Sequence, residues 1–89
     1  MVNLQLLKEE FIKNNRNIIG GEIRKYREKK GFSQEHLANL MDISRATISK
    51  IENGKFAFSI DYLAKFAWHL DFDITVFEKE HLKQKDSLL

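Results

Sequence analysis

Two short helix-forming stretches that lie only two residues apart constrain the fold of this chain more than any other feature. Ser33 and Ser44 each precede one of them, and serine is a favoured N-cap because its side chain accepts a hydrogen bond from the first helical turn. Only Asp42 and Ile43 separate the first stretch from Ser44. So short a connection predicts a sharp angle between the helices, with the residue near Asp42 in the left-handed conformation that Asp tolerates better than most residues.

The segment before Ser33 is predicted to form two helices. Asn3 is a suitable N-cap for the first, and the polar cluster at residues 14–17 is typical of a break that ends it. The second ends in a basic last turn followed by Gly31, an arrangement that helix C-termini prefer. The apolar residues at helical spacing are Leu4, Leu7 and Phe11 in the first helix and Ile19, Ile23 and Tyr26 in the second.

The C-terminal part predicts one more helix and then a strand. The helix after Ser44 ends at Asn53-Gly54, and Ser59 caps the last helix. The predicted inner face of that helix consists of Ile60, Leu63, Phe66, Ala67 and Leu70. From Phe72 to Phe77 the residues alternate with a period of two, which indicates a strand. No other segment has a strand pattern, so the simplest partner is the same strand of a second copy, in a ribbon across a dimer.

Length and composition predict one globular domain without covalent cross-links. The chain has 89 residues, of which 43% are hydrophobic and 31% charged. It has no cysteine, which excludes disulfides, a thiol nucleophile and a zinc knuckle and favours a reducing compartment. Charges at residues 8–10 come too early for a secretory signal, and no apolar run approaches the ~18–20 residues of a membrane span. We therefore expect a soluble cytoplasmic protein without a membrane partner.

The charges are distributed unevenly although the formal net charge is only +2. Residues 16–55 contain nine Lys or Arg against five Asp or Glu, whereas residues 56–89 contain four against six. This asymmetry suits a domain that meets a polyanion on one face. A chance distribution in a small protein explains it about equally well.

The stretch SRATISKIENGK, residues 44–55, predicts a helix with two unlike faces. At about 100° per residue, Ile48 and Ile51 fall on one side. The opposite arc, roughly 140° wide, consists of Arg45, Ala46, Ser49, Lys50 and Asn53. This arc is small, polar and basic and contains no acidic residue. A helix that enters the major groove of DNA needs such a face, because bulky side chains would block its approach and acidic ones would repel phosphates.

The segment IGGEIRKYREKKGFSQEHLANLMDISRATISKIENGK resembles the helix-turn-helix of the lambda repressor and Cro-like (XRE) family. The resemblance covers residues 19 to about 70. Besides the apolar spacing, the residues that carry it are Arg27, Gly31, SQ at 33–34, LA at 37–38, Ser44 and above all ISKIENGK at 48–55. The chain departs from the family pattern at Leu40, at Asp42 and at residues 56–58, so the path of the loop after the second helix of the motif does not follow from it.

The resemblance implies five core helices, dimeric binding to an inverted-repeat operator and transcriptional repression, often of the protein's own promoter. We therefore predict an all-α fold: a five-helix repressor-like helix-turn-helix domain with an additional N-terminal helix and a short C-terminal strand that pairs across a dimer. The predicted parts are an N-terminal helical extension (1–17), the helix-turn-helix DNA-binding domain (18–71), a dimerisation strand (72–78) and a polar tail (79–89).

Arg45 is the first candidate for reading a DNA sequence, because an arginine at the start of the helix can donate two parallel hydrogen bonds to O6 and N7 of guanine. Ala46 can lie against a thymine methyl group, and Lys50 can reach a guanine or a phosphate. The resemblance further implies phosphate contacts for Gln34, Ser44, Thr47, Asn53 and Lys55 and an inward ion pair between Arg27 and Glu52. The predicted DNA-binding set is Gln34, Ser44, Arg45, Ala46, Thr47, Ser49, Lys50, Asn53 and Lys55. The alternatives are a solvated helix face for the outer arc and capping alone for Ser44.

The leading hypothesis is a sequence-specific DNA-binding transcriptional regulator, a dimeric repressor whose partners are double-stranded DNA and a second copy of the chain. The alternative is the antitoxin of a toxin–antitoxin pair, which binds a toxin protein and autoregulates its operon. The small size, the extra N-terminal helix and the terminal strand motivate that alternative.

Catalysis and ligand binding receive no support from the sequence. No set of residues supplies a nucleophile, a base and oxyanion donors together, so we expect no enzymatic activity. The three histidines, His36, His69 and His81, do not share a metal-ligand spacing, so neither a metal nor another cofactor is expected. Trp68 is expected in the core or in a dimer interface.

Overall fold

The computed structural model describes residues 3–79, which contain four α-helices. They are α1 (Leu4–Lys29), α2 (Gln34–Met41), α3 (Arg45–Glu52) and α4 (Ile60–Leu70). The described residues contain no strand. The predicted all-α class is thus confirmed, whereas five core helices with an additional N-terminal helix are not found.

Each helix begins directly after the residue that the sequence analysis predicted as its N-cap. The Oδ1 of Asn3 accepts hydrogen bonds from the N–H groups of Gln5 and Leu6, at 3.0 and 3.3 Å. The serines at the other three helix starts, Ser33, Ser44 and Ser59, each accept one from the N–H three residues later, at 2.9, 3.1 and 3.1 Å. The caps satisfy N–H groups that have no partner within the helix.

The helix break predicted at residues 14–17 is wrong, because α1 runs through them without interruption. Asparagine costs at most ~0.7 kcal/mol per helical position relative to alanine, which local and tertiary contacts can offset. The Nδ2 of Asn15 donates to the carbonyl of Phe11 at 2.9 Å. Asn17 packs against Gly54, where a Cβ would overlap its side chain. This contact between distant parts of the chain holds the middle of α1 against the end of α3.

The core lies where the four helices meet. Its fully buried side chains are Ile23 of α1, Leu37 of α2, Ile48 and Ile51 of α3 and Phe66 of α4, with Ala38 and Leu70 almost as deep. One expectation about α4 is wrong: Ile60, assigned to the inner face, is exposed because it occupies the first position of the helix, outside the core. Trp68 is 80% exposed and is not a core residue.

Gly20 allows α1 and α3 to approach each other closely. A Cβ at this position would overlap the carbonyl oxygen of Ile51 and would lie 2.9 Å from that of Glu52. Gly21, the next residue, faces open space. The first of the two glycines therefore positions the end of α3 directly on α1, and any side chain larger than hydrogen would separate them.

The C-terminal segment, residues 72–79, runs back along α1 without forming a strand. The ring of Phe72 stacks on Tyr26 at 5.2 Å, and the Nζ of Lys79 lies 4.7 Å from the ring centre of Phe11. Tyr26 and Phe11 are ~22 Å apart along the helix axis, which takes most of the reach of an extended eight-residue segment. The strand predicted over 72–78 is not formed because a strand needs a partner, and residues 3–79 of a single chain offer none.

The remaining predictions for the ends of the chain fall on residues 1–2 and 80–89, which lie outside the described residues. These include most of the polar tail and His81. None of the helices in the described part is long and apolar enough to cross a membrane.

Candidate nucleic-acid interface

The turn between α2 and α3 has the backbone conformation that its sequence predicts. Asp42 has φ 55° and ψ 46°, in the left-handed region. The N–H of Ile43 donates to the carbonyl of Ala38 at 3.0 Å, which closes the end of α2. Ser44 then caps α3, so the direction of α3 is fixed within three residues of the end of α2. The left-handed conformation predicted near Asp42 is confirmed.

The two faces of α3 differ as the helical wheel predicts. Ile48 and Ile51 are fully buried, and Glu52 is 5% exposed. On the outer face Arg45, Ala46, Lys50 and Asn53 are exposed and Ser49 is half-buried. No carboxylate belongs to this outer face, since the one acidic residue of α3 is turned inward. The structure therefore brings the five residues of the predicted arc together on one accessible surface.

The buried carboxylate of Glu52 fixes α3 to α1. Its Oε2 accepts a hydrogen bond from the Nε of Arg27 at 2.6 Å, and its Oε1 accepts one from the Nη2 of Arg27 at 3.0 Å. The Nη1 of Arg27 donates to the carbonyl of Phe32 at 2.7 Å. These hydrogen bonds to Glu52 raise the pKa of Arg27 above its usual value. The predicted inward ion pair is confirmed, and its two parallel hydrogen bonds define the orientation of α3 as well as its position.

Gln34 lies at the start of α2 and is turned toward the same carboxylate. Its Nε2 donates to the Oε1 of Glu52 at 3.1 Å, and the residue is half-buried. The side-chain amide of Gln34, a residue predicted to contact phosphate, is thus engaged inside the protein. The N-terminus of α2 is thereby placed beside the C-terminal end of α3, which brings Gln34 into the neighbourhood of the other predicted residues.

Ser44 and Thr47 form a pair of hydroxyls at the N-terminus of α3. The Oγ of Ser44 accepts from the N–H of Thr47 at 3.1 Å, and the two hydroxyl oxygens are 2.8 Å apart. The capping role considered for Ser44 is therefore observed. A hydroxyl that caps a helix still lies next to the partial positive charge of the helix N-terminus, which attracts anions.

Asn53 and Lys55 lie just beyond the C-terminal end of α3. The Nδ2 of Asn53 donates to the carbonyl of Ser49 at 2.8 Å, and the N–H of Lys55 donates to that of Lys50 at 2.8 Å. Gly54 between them has φ 71°, a conformation that side chains disfavour. This closure of the helix leaves the side chains of both residues exposed beside the outer face.

Three basic residues of α1 near this surface were not among the predicted site residues. The Nε of Arg24 lies 3.6 Å from the Oε1 of Glu52. Lys13 and Arg16 line a surface cleft together with Gly54 and Lys55. The signal in the sequence is the helical spacing of positions 13, 16, 20, 24 and 27, which becomes visible only when α1 is treated as one helix.

The described residues show no arrangement suited to a metal ion. Among residues 3–79 no three potential metal-ligating side chains form a group. The ring of His36 instead packs edge-on against Phe32, with ring centres 4.7 Å apart.

The family model described as Helix-turn-helix matches residues 23–77. The match includes α2, the turn, α3, α4 and most of the segment that follows α4. Searches of curated proteins and of solved structures return no significant match. The matched range is more than half of the chain and begins in the second half of α1, so Lys13 and Arg16 lie before it.

Proposed function

The chain belongs to the lambda repressor and Cro-like helix-turn-helix family of DNA-binding transcription regulators, and on this basis we propose that it is a dimeric repressor that recognises an inverted-repeat operator with the outer face of α3. The observation that carries the proposal is the contrast between the faces of that helix. The inner face is anchored by Glu52, and the outer face is exposed, basic and without a carboxylate.

We assign the reading of bases to four residues on the outer face. Arg45, in the first turn of α3, has the reach and donor geometry for O6 and N7 of a guanine, and the small Ala46 beside it can accept a thymine methyl group. Ser49 and Lys50 follow one turn later on the same face. Short side chains at two of the four positions permit the helix backbone to come close to the base edges.

We assign phosphate contacts to residues at both ends of α3 and at the start of α2. At the N-terminal end these are Ser44 and Thr47, where the helix dipole adds to the attraction for an anion. At the C-terminal end they are Asn53 and the cation Lys55. Gln34 contributes through the N-terminus of α2, while its side chain remains bonded to Glu52. Contacts to phosphates position the helix and carry no sequence information.

The proposed dimer forms through residues 72–78. Val76 and Phe77 are 93% and 84% exposed in the single chain, which is an unfavourable environment for such side chains unless another surface covers them. The same segment has a backbone without a partner strand among residues 3–79. Pairing with the same segment of a second copy would give the backbone a hydrogen-bonding partner and place each of these side chains beside side chains of the partner strand.

Sequencing of DNA fragments selected by the purified protein tests the proposal. We expect one enriched inverted repeat with half-sites one helical turn, about 34–36 Å, apart. Binding to it should weaken steeply with salt and outcompete bulk DNA. A pool without an enriched sequence would refute sequence-specific recognition, and an enriched single half-site would refute the dimer.

The dimer has a separate test in sedimentation of the free protein. The variant Phe77→Asp introduces a charge into the proposed interface and should shift the protein toward monomer, whereas Asp73→Asn, at the start of the same segment, should not. An unchanged association state in Phe77→Asp would exclude the segment as the interface.

A second candidate function is that of an antitoxin, and the outer face of α4 favours it. Trp68 and Ile60 are 80% and 64% exposed on this face, and Ala64 lies between them along the helix. An apolar surface of this kind, separate from α3, suits a protein partner. A small toxin encoded by a neighbouring gene should co-purify with the wild type and be lost from Trp68→Glu. A lone regulator would yield no such complex.

A further inference from the structure

We propose that the DNA-binding surface continues from the end of α3 onto the N-terminal half of α1, where Lys13 and Arg16 bind phosphates of the DNA backbone. The inference rests on the proposed operator binding and extends it to residues that precede the matched helix-turn-helix region. It assigns a function to a part of the chain that contributes no buried residue to the core.

The first step is the position of α1 relative to α3. Two close contacts define it: Gly20 lies directly against the carbonyl of Ile51, and Asn17 lies directly against Gly54. The last turn of α3 and the second residue after it, Gly54, therefore meet α1 at neighbouring positions. The side of α1 that carries Asn17 and Gly20 is the side that faces the end of the DNA-reading helix.

The second step follows from the helical repeat. Lys13 and Arg16 lie seven and four residues before Gly20, so they fall on the same side of α1 within about 40°. At ~1.5 Å per residue, Lys13 lies ~10 Å beyond Gly20 along the axis. The side chains accordingly line one cleft with Gly54 and Lys55. Lys13 and Arg16 thus lie next to Lys55, the last of the predicted DNA-binding residues along the chain.

The third step concerns charge. The C-terminal half of α1 also has arginines on this side, but Arg24 and Arg27 both interact with Glu52. In contrast, no carboxylate of residues 3–79 forms an ion pair with Lys13, Arg16 or Lys55. The only acidic residue that lines the cleft is Glu9, whose Oε1 accepts a hydrogen bond from Gln5. The three cations leave the cleft with a positive charge next to the outer face of α3.

Phosphate is the group that this chemistry fits. Cations that lie beside the end of a helix in the major groove meet the DNA backbone at the edge of that groove, where they neutralise charge without reading bases. The contacts should raise the affinity for every DNA sequence by the same factor. They should leave the preference for the operator unchanged.

The test compares Lys13→Gln and Arg16→Gln with the matched control Lys8→Gln, which removes the same charge from a face of α1 about 140° away from Lys13. Binding to the selected operator is measured from about 50 to 200 mM salt. Each cleft substitution should reduce the slope of log K against log salt by ~0.9 per protomer and weaken binding roughly fivefold per protomer at 0.15 M salt. The control should leave the slope at the wild-type value.

The variant Glu9→Gln should change the DNA affinity in the opposite direction. Because it removes the one negative charge of the cleft, it should strengthen binding, and it leaves both cations in place. It also keeps the inference falsifiable if Arg16→Gln, which removes a half-buried side chain, lowers the thermal stability. Wild-type slopes in both Lys13→Gln and Arg16→Gln, together with unchanged affinity in Glu9→Gln, would overturn the extension. Failure of the wild type itself to select an operator would instead refute the proposed function.

Discussion

The inner and outer faces of α3, a helix of eight residues, differ in burial and in polarity. The inner face has two isoleucines with no exposed surface and a carboxylate held by two arginines and a glutamine. The outer face has small and basic residues that the protein itself does not cover. The difference shows how a short helix can be anchored on one side and still leave its other side open to a partner. Substitutions on the two faces should therefore have separable effects, on stability from the inside and on binding from the outside.

The ion pair on the inner face contributes more to orientation than to stability. Burying charged groups costs desolvation energy that their attraction returns only if the hydrogen bonds are complete. Here Arg27 donates to Glu52 and to the carbonyl of Phe32, and every buried side-chain nitrogen or oxygen of the described residues has a partner. A fork of parallel hydrogen bonds prevents α3 from rotating about its axis, which isoleucines alone would not do.

The largest effect is expected for Glu52→Gln. The substitution leaves Arg27 buried without its counter-charge, which should lower the free energy of unfolding by ~3–5 kcal/mol. Denaturant unfolding measures this loss. The control Glu28→Gln, at an exposed position of α1, should remain within ~0.5 kcal/mol of the wild type. Equal stability of the two variants would show that the inner face is not held by this carboxylate.

The next largest effect on stability is expected at two neighbouring glycines of α1, which should respond in opposite directions to substitution by alanine. Gly20→Ala places a methyl group against the carbonyl of Ile51, so α1 and α3 must separate, at a cost of ~1–3 kcal/mol. Gly21→Ala faces open space and should stabilise the helix by up to ~1 kcal/mol. Thermal unfolding of both variants measures the difference. Should Gly20→Ala be as stable as Gly21→Ala, the close approach of the two helices would be wrong.

The smallest effect is expected in the turn that directs α3. Asp42 has a positive φ, which costs a residue with a side chain ~1–2 kcal/mol relative to glycine, although Asp tolerates it better than most. Asp42→Gly relieves this strain and increases the entropy of the unfolded chain, so we expect a net gain of ~0.5 kcal/mol. Operator affinity should not change, because the turn geometry is already that of the left-handed cap. A loss of stability in denaturant unfolding would contradict this interpretation of the turn.

The parts that the sequence predicted well are those determined within one or two helical turns. The four N-caps, the left-handed Asp42 and the inward side of α3 all follow from local hydrogen bonding and from the spacing of Ile48 and Ile51. The orientation of Arg27 toward Glu52 was implied by the family resemblance, not by the spacing alone. Such features are robust because the residues that cause them are neighbours in the chain.

The parts that the sequence did not predict depend on contacts between distant residues. The asparagines at 14–17 indicate a break by their propensity, but Asn17 packs against Gly54 and α1 continues. Because a break was predicted at residues 14–17, the sequence did not show that Lys13 and Arg16 lie on the same side of α1 as Gly20. The alternation at 72–77 is a strand pattern, but residues 3–79 contain no partner strand for it. A strand forms only when it pairs with another, so local preference alone did not decide the structure of this segment.

The central claim, that the outer face of α3 reads DNA, is tested most directly by the ratio of operator to non-operator affinity in the wild type and in Arg45→Ala. Both proteins should unfold with the same free energy to within ~0.5 kcal/mol, because Arg45 is exposed. For the wild type we expect a ratio of at least ~10³, and for Arg45→Ala a ratio roughly 5- to 150-fold lower per half-site, equivalent to the ~1–3 kcal/mol of a bidentate contact. An unchanged ratio in a folded Arg45→Ala would contradict the account.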